Sequence, residues 1–207
     1  MHIPDGFLTA NTWVPAWVIS AGGIGYCLKR TAQVLKDRMV PLMGITAAFV
    51  FAAQMINFPV MGGTSGHFLG GVLTAILLGP HAGAIVIAVV LIIQCLIFQD
   101  GGLTTLGANI LNMSLIGAIG GYVLYSLFKR VIGAQRKVWA VGLAAWFSVV
   151  AAAAACAVEL AISGTSPLQI ALPAMAGVHV LIGIGEAIIT GLVIGFIMKV
   201  RPDLISN

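Results

Sequence analysis

The sequence predicts an all-α polytopic membrane protein with seven transmembrane helices, its N-terminus outside the cell and its C-terminus in the cytoplasm. Apolar residues make up 60% of the 207 residues, and only ten Lys or Arg and six Asp or Glu are present. A soluble globular protein carries about 25% charged residues. Not one charged residue lies between Met39 and Gln99. In lipid, such apolar stretches satisfy their backbone polar groups as helices, so the composition excludes a disordered chain and an ordinary cytosolic enzyme.

Apolar runs bounded by breaking or charged residues place the spans. Within one integral membrane domain of residues 1–207 we expect them near 13–28, 40–57, 66–79, 82–98, 104–128, 138–160 and 170–198. The second stops before Pro59, because a residue that precedes proline disfavours the helical conformation. A single helix over 66–98 would be about 50 Å long against a hydrocarbon core of about 30 Å. The sequence Gly79-Pro80 therefore predicts a break.

The basic residues fix the orientation. Loops rich in Lys and Arg stay in the cytoplasm. A break at Pro80 puts four spans between the first and second basic clusters and so returns the chain to the same side. Residues 1–12, 58–66, 99–103 and 161–169 then lie outside. The basic residues sit at span ends without interleaved aromatic residues, which favours membrane lipid over nucleic acid as the partner; they are Lys29, Arg30, Lys36 and Arg38, then Lys129, Arg130, Arg136 and Lys137, then Lys199 and Arg201.

Two histidines on the outer side, His2 and His67, are candidate metal ligands. The first residues include no basic region and apolar core of a signal peptide, so we expect the chain to begin at Met1. The Met1 amine, the His2 amide nitrogen and the His2 imidazole would then form adjacent chelate rings, nearly coplanar because the peptide unit is planar. This donor set suits Ni²⁺ or Cu²⁺ in square-planar geometry. His67, in a glycine-rich loop that opens the third span, is the natural fourth ligand.

Blander interpretations of both histidines stay open. A buried histidine bonded to a backbone carbonyl would explain His67 as a packing residue, and any chain that starts Met-His has the same local arrangement. His81 is predicted on the cytoplasmic side and is excluded from an outer site. A haem held between His67 and His179 is a further alternative, with less support because no second well-placed histidine pair stands out.

Three acidic residues need an explanation. Asp100 precedes the fifth span, where Thr104 or Thr105 is expected to cap the helix and Asp100 to attract a cation. Glu159 falls near the outer end of the sixth span, and Glu186 lies deep in the seventh. An ionisable residue inside the membrane is a functional hypothesis by default. Proton coupling and a structural bond to a neighbouring helix are the two interpretations, and the first defines the alternative function, a self-sufficient proton-coupled divalent metal transporter.

Five sequence blocks resemble the CbiM/NikM family, the membrane-embedded substrate-binding (S) subunits of cobalt and nickel energy-coupling factor (ECF) transporters, with the nickel type the nearer. The resemblance covers nearly the whole chain. Around the histidine the chain has Gly66-His67-Phe68-Leu69-Gly70 where many cobalt-type members have Ser-His-Pro-Thr-Gly, so metal preference does not transfer. The blocks are Met1-His2-Ile-Pro-Asp-Gly-Phe-Leu, Gly62-Gly-Thr-Ser-Gly-His67, Leu77-Leu-Gly-Pro80, Asp100-Gly-Gly-Leu-Thr-Thr-Leu-Gly-Ala-Asn109 and Ile182-Gly-Ile-Gly-Glu186-Ala-Ile-Ile-Thr190.

The resemblance implies a Ni²⁺ or Co²⁺ site at Met1, His2 and His67, and an extra N-terminal helix on a six-helix core. It also implies partners: a transmembrane coupling subunit, two ATPase subunits and often a small accessory membrane subunit, in the cell membrane of a prokaryote. The chain carries no glycine-rich phosphate loop followed by Lys-Ser/Thr, so we expect a binding subunit and not an enzyme. Ala48 and Ala52, and the strip from Ala151 to Ala155, are small-residue surfaces that suit close helix packing.

Overall fold

The described part of the chain is mostly helical. The computed structural model describes residues 1–60 and 64–205, so the part of the predicted glycine-rich loop at 61–63 lies outside the described residues. A π-helical segment, Leu111–Gly120, joins α5 to α6 in one continuous helix. The helices are α1 (Ala10–Ala32), α2 (Met39–Met55), α3 (Gly71–Leu78), α4 (Pro80–Phe98), α5 (Leu106–Ile110), α6 (Gly121–Ile132), α7 (Lys137–Ile162) and α8 (Leu168–Val200).

Four of these helices are long and apolar enough to cross a membrane. They are α4, the continuous helix Leu106–Ile132, α7 and α8, with mean hydropathies of 2.6, 1.5, 2.1 and 2.3 over their most apolar stretches. The apolar helix α2 is shorter, at 17 residues. The predicted all-α membrane class is therefore confirmed, whereas the count of seven spans and the sides of the two termini stay predictions.

The third predicted span, 66–79, is not a helix over its first five residues. Strands β1 (Phe58–Val60) and β2 (Thr64–Gly66) pair antiparallel, with Phe58 opposite Gly66. The chain stays irregular until α3 begins at Gly71, because Gly70 has φ of +79°, a left-handed conformation outside the helical region. Eight residues make a helix of about 12 Å, too short on its own to cross about 30 Å of hydrocarbon.

The predicted break between the third and fourth spans is confirmed. Helix α3 ends at Leu78, Gly79 has φ of +85°, and Pro80 starts α4. Proline is well tolerated there, because the N–H groups of the first residues of a helix have no acceptor within the helix. Helices α3 and α4 pack against each other across this turn.

Other helices extend past the predicted apolar runs. Helix α1 covers Ala10–Ala32 instead of 13–28, since Lys29 and Arg30 continue the helix beyond its apolar part. An apolar run marks only the part of a helix suited to lipid, so most of the helices are longer than the spans predicted within them, and the span bounds themselves stay predictions. Helix α1 packs on α4 and α5. Trp17 Nε1 donates to the carbonyl oxygen of Thr104 at 2.9 Å, and Ser20 Oγ to that of Gly107 at 2.6 Å.

Candidate metal centre

The first residues of the chain run into the helical bundle instead of trailing from it. Met1 and Ile3 are fully buried and belong to the same apolar cluster as Leu69 and Met175. The Ile3 N–H donates to Asn109 Oδ1 at 2.9 Å, and the Ile3 carbonyl accepts from the Gly102 N–H at 2.9 Å. Because both backbone groups of Ile3 are paired with the segment 102–109, the two preceding residues are held at a defined place.

Asp5 fixes the same segment from its outer end. Its carboxylate accepts hydrogen bonds from the Leu103 N–H at 3.0 Å, from the Thr104 N–H at 2.8 Å and from Thr104 Oγ1 at 2.5 Å. These bonds lower the pKa of Asp5 below its ordinary value, and the bond from the Thr104 hydroxyl has the largest effect. Asp5 thus takes the capping role predicted for Thr104 or Thr105: the Thr105 hydroxyl donates to the Ile3 carbonyl instead, at 2.5 Å.

The amino group of Met1 and the amide of His2 both face Ser65 on β2. The amine donates to the Ser65 carbonyl and, at 3.0 Å, to Ser65 Oγ. The His2 N–H lies 3.2 Å from the same hydroxyl. Burial lowers the pKa of the Met1 amine from 8.0 to about 5. The amine therefore carries a free lone pair at neutral pH, the form in which it can bind a metal ion.

The His2 imidazole is buried between α4 and the loop that precedes α5. Its Nε2 lies 3.1 Å from Gln94 Oε1, and its Nδ1 lies 3.3 Å both from Ser65 Oγ and from Asp100 Oδ1. The oxygens of Gln94 and Asp100 both only accept, and the contact to Gln94 is the shorter, so we assign the proton to Nε2 and the lone pair to Nδ1. Burial first, and then the nearby amino terminus, lower the pKa of His2 from 6.5 to about 3. The contact with Asp100 therefore involves a neutral imidazole and is not an ion pair.

The predicted partner His67 lies directly against His2. The two rings stack with their centroids 4.6 Å apart and their planes at 29°. His67 Nδ1 donates to the Phe68 carbonyl at 2.7 Å, which leaves the lone pair on Nε2. That Nε2 is buried and has no hydrogen-bond partner among the described residues. His67 thus has the carbonyl bond of a packed histidine on one nitrogen, and an unused donor atom on the other.

Helix α8 holds the loop of His67, residues 67–70, which connects β2 to α3. Both oxygens of Glu186 accept backbone N–H groups, from Leu69 and from Gly70, each at 2.7 Å. Gln54 Nε2, from α2, donates to the Leu69 carbonyl at 2.8 Å. Of the two interpretations of Glu186, the structural one matches the contacts, although the bonded partner is the loop and not a neighbouring helix.

The remaining candidate residues fall into two groups. Asp100 lies beside His2, and Asn57 Nδ2 donates to its other oxygen at 3.0 Å. Burial raises the pKa of Asp100 against the opposing effect of the nearby amino terminus. Glu159 is instead bonded to Asn112 Nδ2 at 2.6 Å, and His81 packs edge-on against Tyr26 with ring centroids 5.6 Å apart. Neither of these two contacts the cluster around His2.

Sequence reasoning missed three contributors to the site: Ser65, Gln94 and Asn109. Ser65 and Asn109 stand inside the motifs quoted above, but the motifs give no reason for their side chains to meet residues 1–3. Gln94 lies in an apolar helix, where one amide among aliphatic residues is a signal of a buried partner.

The centre uses few side chains. Within residues 1–60 and 64–205, no three His, Cys, Asp or Glu side chains come together as a metal cluster. What the structure does bring together is one amine, one backbone amide and two imidazoles, all nitrogen donors. Soft or borderline first-row metal ions accept such donors, whereas Mg²⁺ and Ca²⁺ prefer oxygen.

Proteins with a similar fold or sequence are named as transition-metal, nickel or cobalt transport proteins. A crystal structure of a truncated transition metal transporter superposes with a TM-score of 0.90 at 35% identity, covering 96% of this chain and 99% of that one. A putative fused nickel transport protein, NikMN, from Archaeoglobus fulgidus is 42% identical over the whole of this chain and 68% of its own length. A putative cobalt transport protein, CbiM, from Methanococcus voltae is 32% identical over the whole of this chain and 95% of its own length.

The fold is that of a transition-metal transporter, a helical membrane protein that crosses the bilayer several times. The family described as the cobalt uptake substrate-specific transmembrane region, CbiM, matches residues 2–204. The chain belongs to this family of nickel and cobalt transport proteins, as the resemblance predicted. Its relatives are transport proteins and not enzymes.

Proposed function

We propose that this chain captures Ni²⁺ as the substrate-binding subunit of an ATP-driven, ECF-type uptake transporter in the cell membrane of a prokaryote. The four proposed ligands are the Met1 amine, the His2 amide nitrogen, His2 Nδ1 and His67 Nε2. One observation carries the proposal: His67 Nε2 is buried, has no hydrogen-bond partner among residues 1–60 and 64–205, and belongs to a ring that stacks on the ring of His2, next to the buried Met1.

The hydrogen bonds around the centre favour this ligand set. Gln94 Oε1 and the Phe68 carbonyl each accept from the ring nitrogen that is not a proposed ligand, which fixes the tautomer that a metal ion needs. Two imidazoles in neighbouring positions around one ion, with bonds of about 2 Å, have ring centroids about 4–5 Å apart. The rings of His2 and His67 are already 4.6 Å apart.

The preference for nickel over cobalt follows from the donors. A deprotonated amide nitrogen, an amine and two imidazoles in one plane form the square-planar nitrogen site that Ni²⁺ favours. Asp100 adds a carboxylate 3.3 Å from His2 Nδ1, whose negative potential attracts the cation. Because relatives named for nickel and relatives named for cobalt both resemble this chain, the choice of nickel rests on the donor chemistry.

The proposal includes partners, since the chain is proposed to bind the ion and not to hydrolyse ATP. A transmembrane coupling subunit, two ATPase subunits and a small accessory membrane subunit would drive release. Of the two small-residue surfaces, Ala48 and Ala52 on α2 stay exposed, whereas Ala152 and Ala153 on α7 are buried in the bundle. We therefore propose the α2 surface for docking of the coupling subunit.

Nickel titration of the purified, untagged chain tests the chelate. Intact-mass measurement first establishes that the protein begins at Met1. Two glycines added before Met1 convert its amine into an amide and should weaken Ni²⁺ binding at least a hundredfold, and His67→Ala should do the same; a single glycine is avoided because its own amine, two amide nitrogens and the His2 imidazole would form a new four-nitrogen chelate. His81→Ala is the matched control and should leave the affinity unchanged. Unaltered affinity in the extended protein would overturn the chelate.

The alternative, a self-sufficient proton-coupled transporter using Glu186 and Asp100, makes a different prediction. It requires Ni²⁺ uptake into vesicles that contain this chain alone, abolished by a protonophore and by Glu186→Gln. Both oxygens of Glu186 are occupied by backbone N–H groups, which favours an anchoring role over a proton relay. Uptake only in the presence of the ATPase and coupling subunits would exclude the alternative.

A further inference from the structure

Helix α8 runs alongside the loop of His67 in a defined register. Thr64 Oγ1 contacts Met175 Sδ at 2.9 Å, and Glu186 binds the N–H groups of Leu69 and Gly70. Between these two points, a Cβ added to Gly66 would meet Ile182 Cδ1 at 2.9 Å. The loop thus follows one face of α8 over three turns of the helix.

His179 lies on that same face of α8. It is four residues after Met175 and seven before Glu186, spacings that bring side chains to one side of a helix. Because Met175 contacts Thr64 and Glu186 binds Leu69 and Gly70, His179 lies between two points at which α8 contacts residues 64–70. His179 therefore lies on the face of α8 that contacts the segment carrying His67.

The side chain of His179 has an unused donor atom. It is fully buried, and its Nδ1 donates to the Met175 carbonyl at 2.7 Å. The lone pair is therefore on Nε2. That nitrogen has no hydrogen-bond partner among residues 1–60 and 64–205, and the same is true of His67 Nε2. A buried acceptor without a donor is uncommon in proteins, and two such imidazoles on facing segments call for a shared partner.

We propose that His67 and His179 form a second metal station, which receives the ion when the amino-terminal segment withdraws. The inference rests on the proposed function, because it starts from Ni²⁺ bound at Met1, His2 and His67. In the exchange, the ion keeps its bond to His67 Nε2 and gains one to His179 Nε2. The Met1 amine and the two His2 nitrogens leave, water molecules take the other vacated positions, and the His2 amide regains a proton from water, which leaves hydroxide.

The advantage of such a station is kinetic. An ion held by a deprotonated amide, an amine and two imidazoles leaves slowly unless a new ligand enters as the old ones depart. His179 provides that ligand within the bundle, in a helix that is already bonded to the loop of His67 through Glu186. The ion then remains coordinated while the amino-terminal segment is displaced.

The test removes the first station and looks for the second. The detergent-solubilised full chain, extended by two glycines before Met1 and carrying no polyhistidine tag, is titrated with NiCl₂. We expect a residual site of one ion per chain, at least a hundredfold weaker than in the parent chain. His179→Ala in the extended chain should weaken that site a further tenfold or more, and so should His67→Ala. His81→Ala in the same chain is the matched control and should leave it unchanged.

The possible outcomes separate the two proposals. Absence of a residual site, or a residual site insensitive to His179→Ala, overturns the second station. Full retention of the parental affinity in the extended chain overturns the amino-terminal chelate instead, and the effect of His179→Ala in that chain still decides the role of His179. His2→Ala in place of the extension repeats the test with an unaltered terminus. Thermal unfolding of each variant identifies any that fails to fold, and such a variant is replaced by the corresponding Gln substitution.

Discussion

Replacement of Glu186 by Gln tests whether α8 holds His67 in position for the ion. The side chains are nearly the same size, but Gln has one acceptor oxygen where Glu has two. In the wild type both oxygens accept backbone N–H groups at 2.7 Å. In the variant one of these buried N–H groups faces an NH₂ group, which costs about 1–3 kcal/mol, and the remaining bond loses its charge assistance, about another 1 kcal/mol.

The expected effect on nickel binding follows from that sum of about 2–4 kcal/mol. If half of it must be recovered when the ion orders the loop, the affinity falls about 5- to 30-fold, at 1.4 kcal/mol per factor of ten. Isothermal titration with NiCl₂ measures the affinity, and thermal unfolding of the same samples measures the stability. Both are expected to decrease.

Glu159→Gln is the matched control for this prediction. Glu159 is also buried in a helix and accepts a hydrogen bond, from Asn112 Nδ2, but it makes no bond to the loop of His67. Its replacement should lower the unfolding temperature and leave the nickel affinity within twofold. Equal losses of affinity in the two variants, or an unchanged affinity in Glu186→Gln, would refute the anchoring role.

Two further predictions concern the amino-terminal segment. The lowered pKa values of Met1, about 5, and His2, about 3, mean that neither carries a proton for Ni²⁺ to displace at pH 6–8. Only the amide proton is released, so the nickel affinity should fall about tenfold per pH unit down to pH 5 and more steeply below. A peptide of residues 1–6, whose amine has its ordinary pKa, should already show the steeper fall in nickel titrations below pH 8. Equal slopes for the protein and the peptide would contradict the argument that burial lowers these pKa values. Gly102→Ala places a methyl group 2.6 Å from Asp5 Cγ and should weaken nickel binding severalfold at unchanged helix content by circular dichroism, whereas Gly22→Ala, which meets no atom within 4 Å, should have no effect.

Most of the helices, and the meeting of His2 with His67, follow from the sequence. Apolar runs located the helices, Gly79-Pro80 located the break, and the chemistry of an amino-terminal Met-His pair pointed to the loop of His67. The bounds were less accurate, because hydrophobicity records contact with lipid and a helix continues through charged residues such as Lys29 and Arg30.

What the sequence did not predict depends on contacts between distant residues. The hairpin of β1 and β2 leaves little signal in three-residue strands. The sequence predicts that Glu186, as a charge inside the membrane, bonds to a neighbouring helix. Its partners are instead backbone N–H groups, which every residue except proline carries and which therefore leave no signal in the sequence. For His179 the sequence indicates only the haem alternative, since no local pattern shows that α8 contacts the segment carrying His67.

The burial of Met1 and Ile3 has a consequence for how the protein is made. Their partners Ser65, Gln94 and Asn109 follow about 60 to 110 positions later in the chain. At a synthesis rate of about 5–20 residues per second, several seconds pass after synthesis of the amino terminus before any of these three partners has been made. The metal centre can therefore assemble only after residue 109 has been made, so nickel binding by a newly made chain would report that these contacts across the first half of the chain are complete.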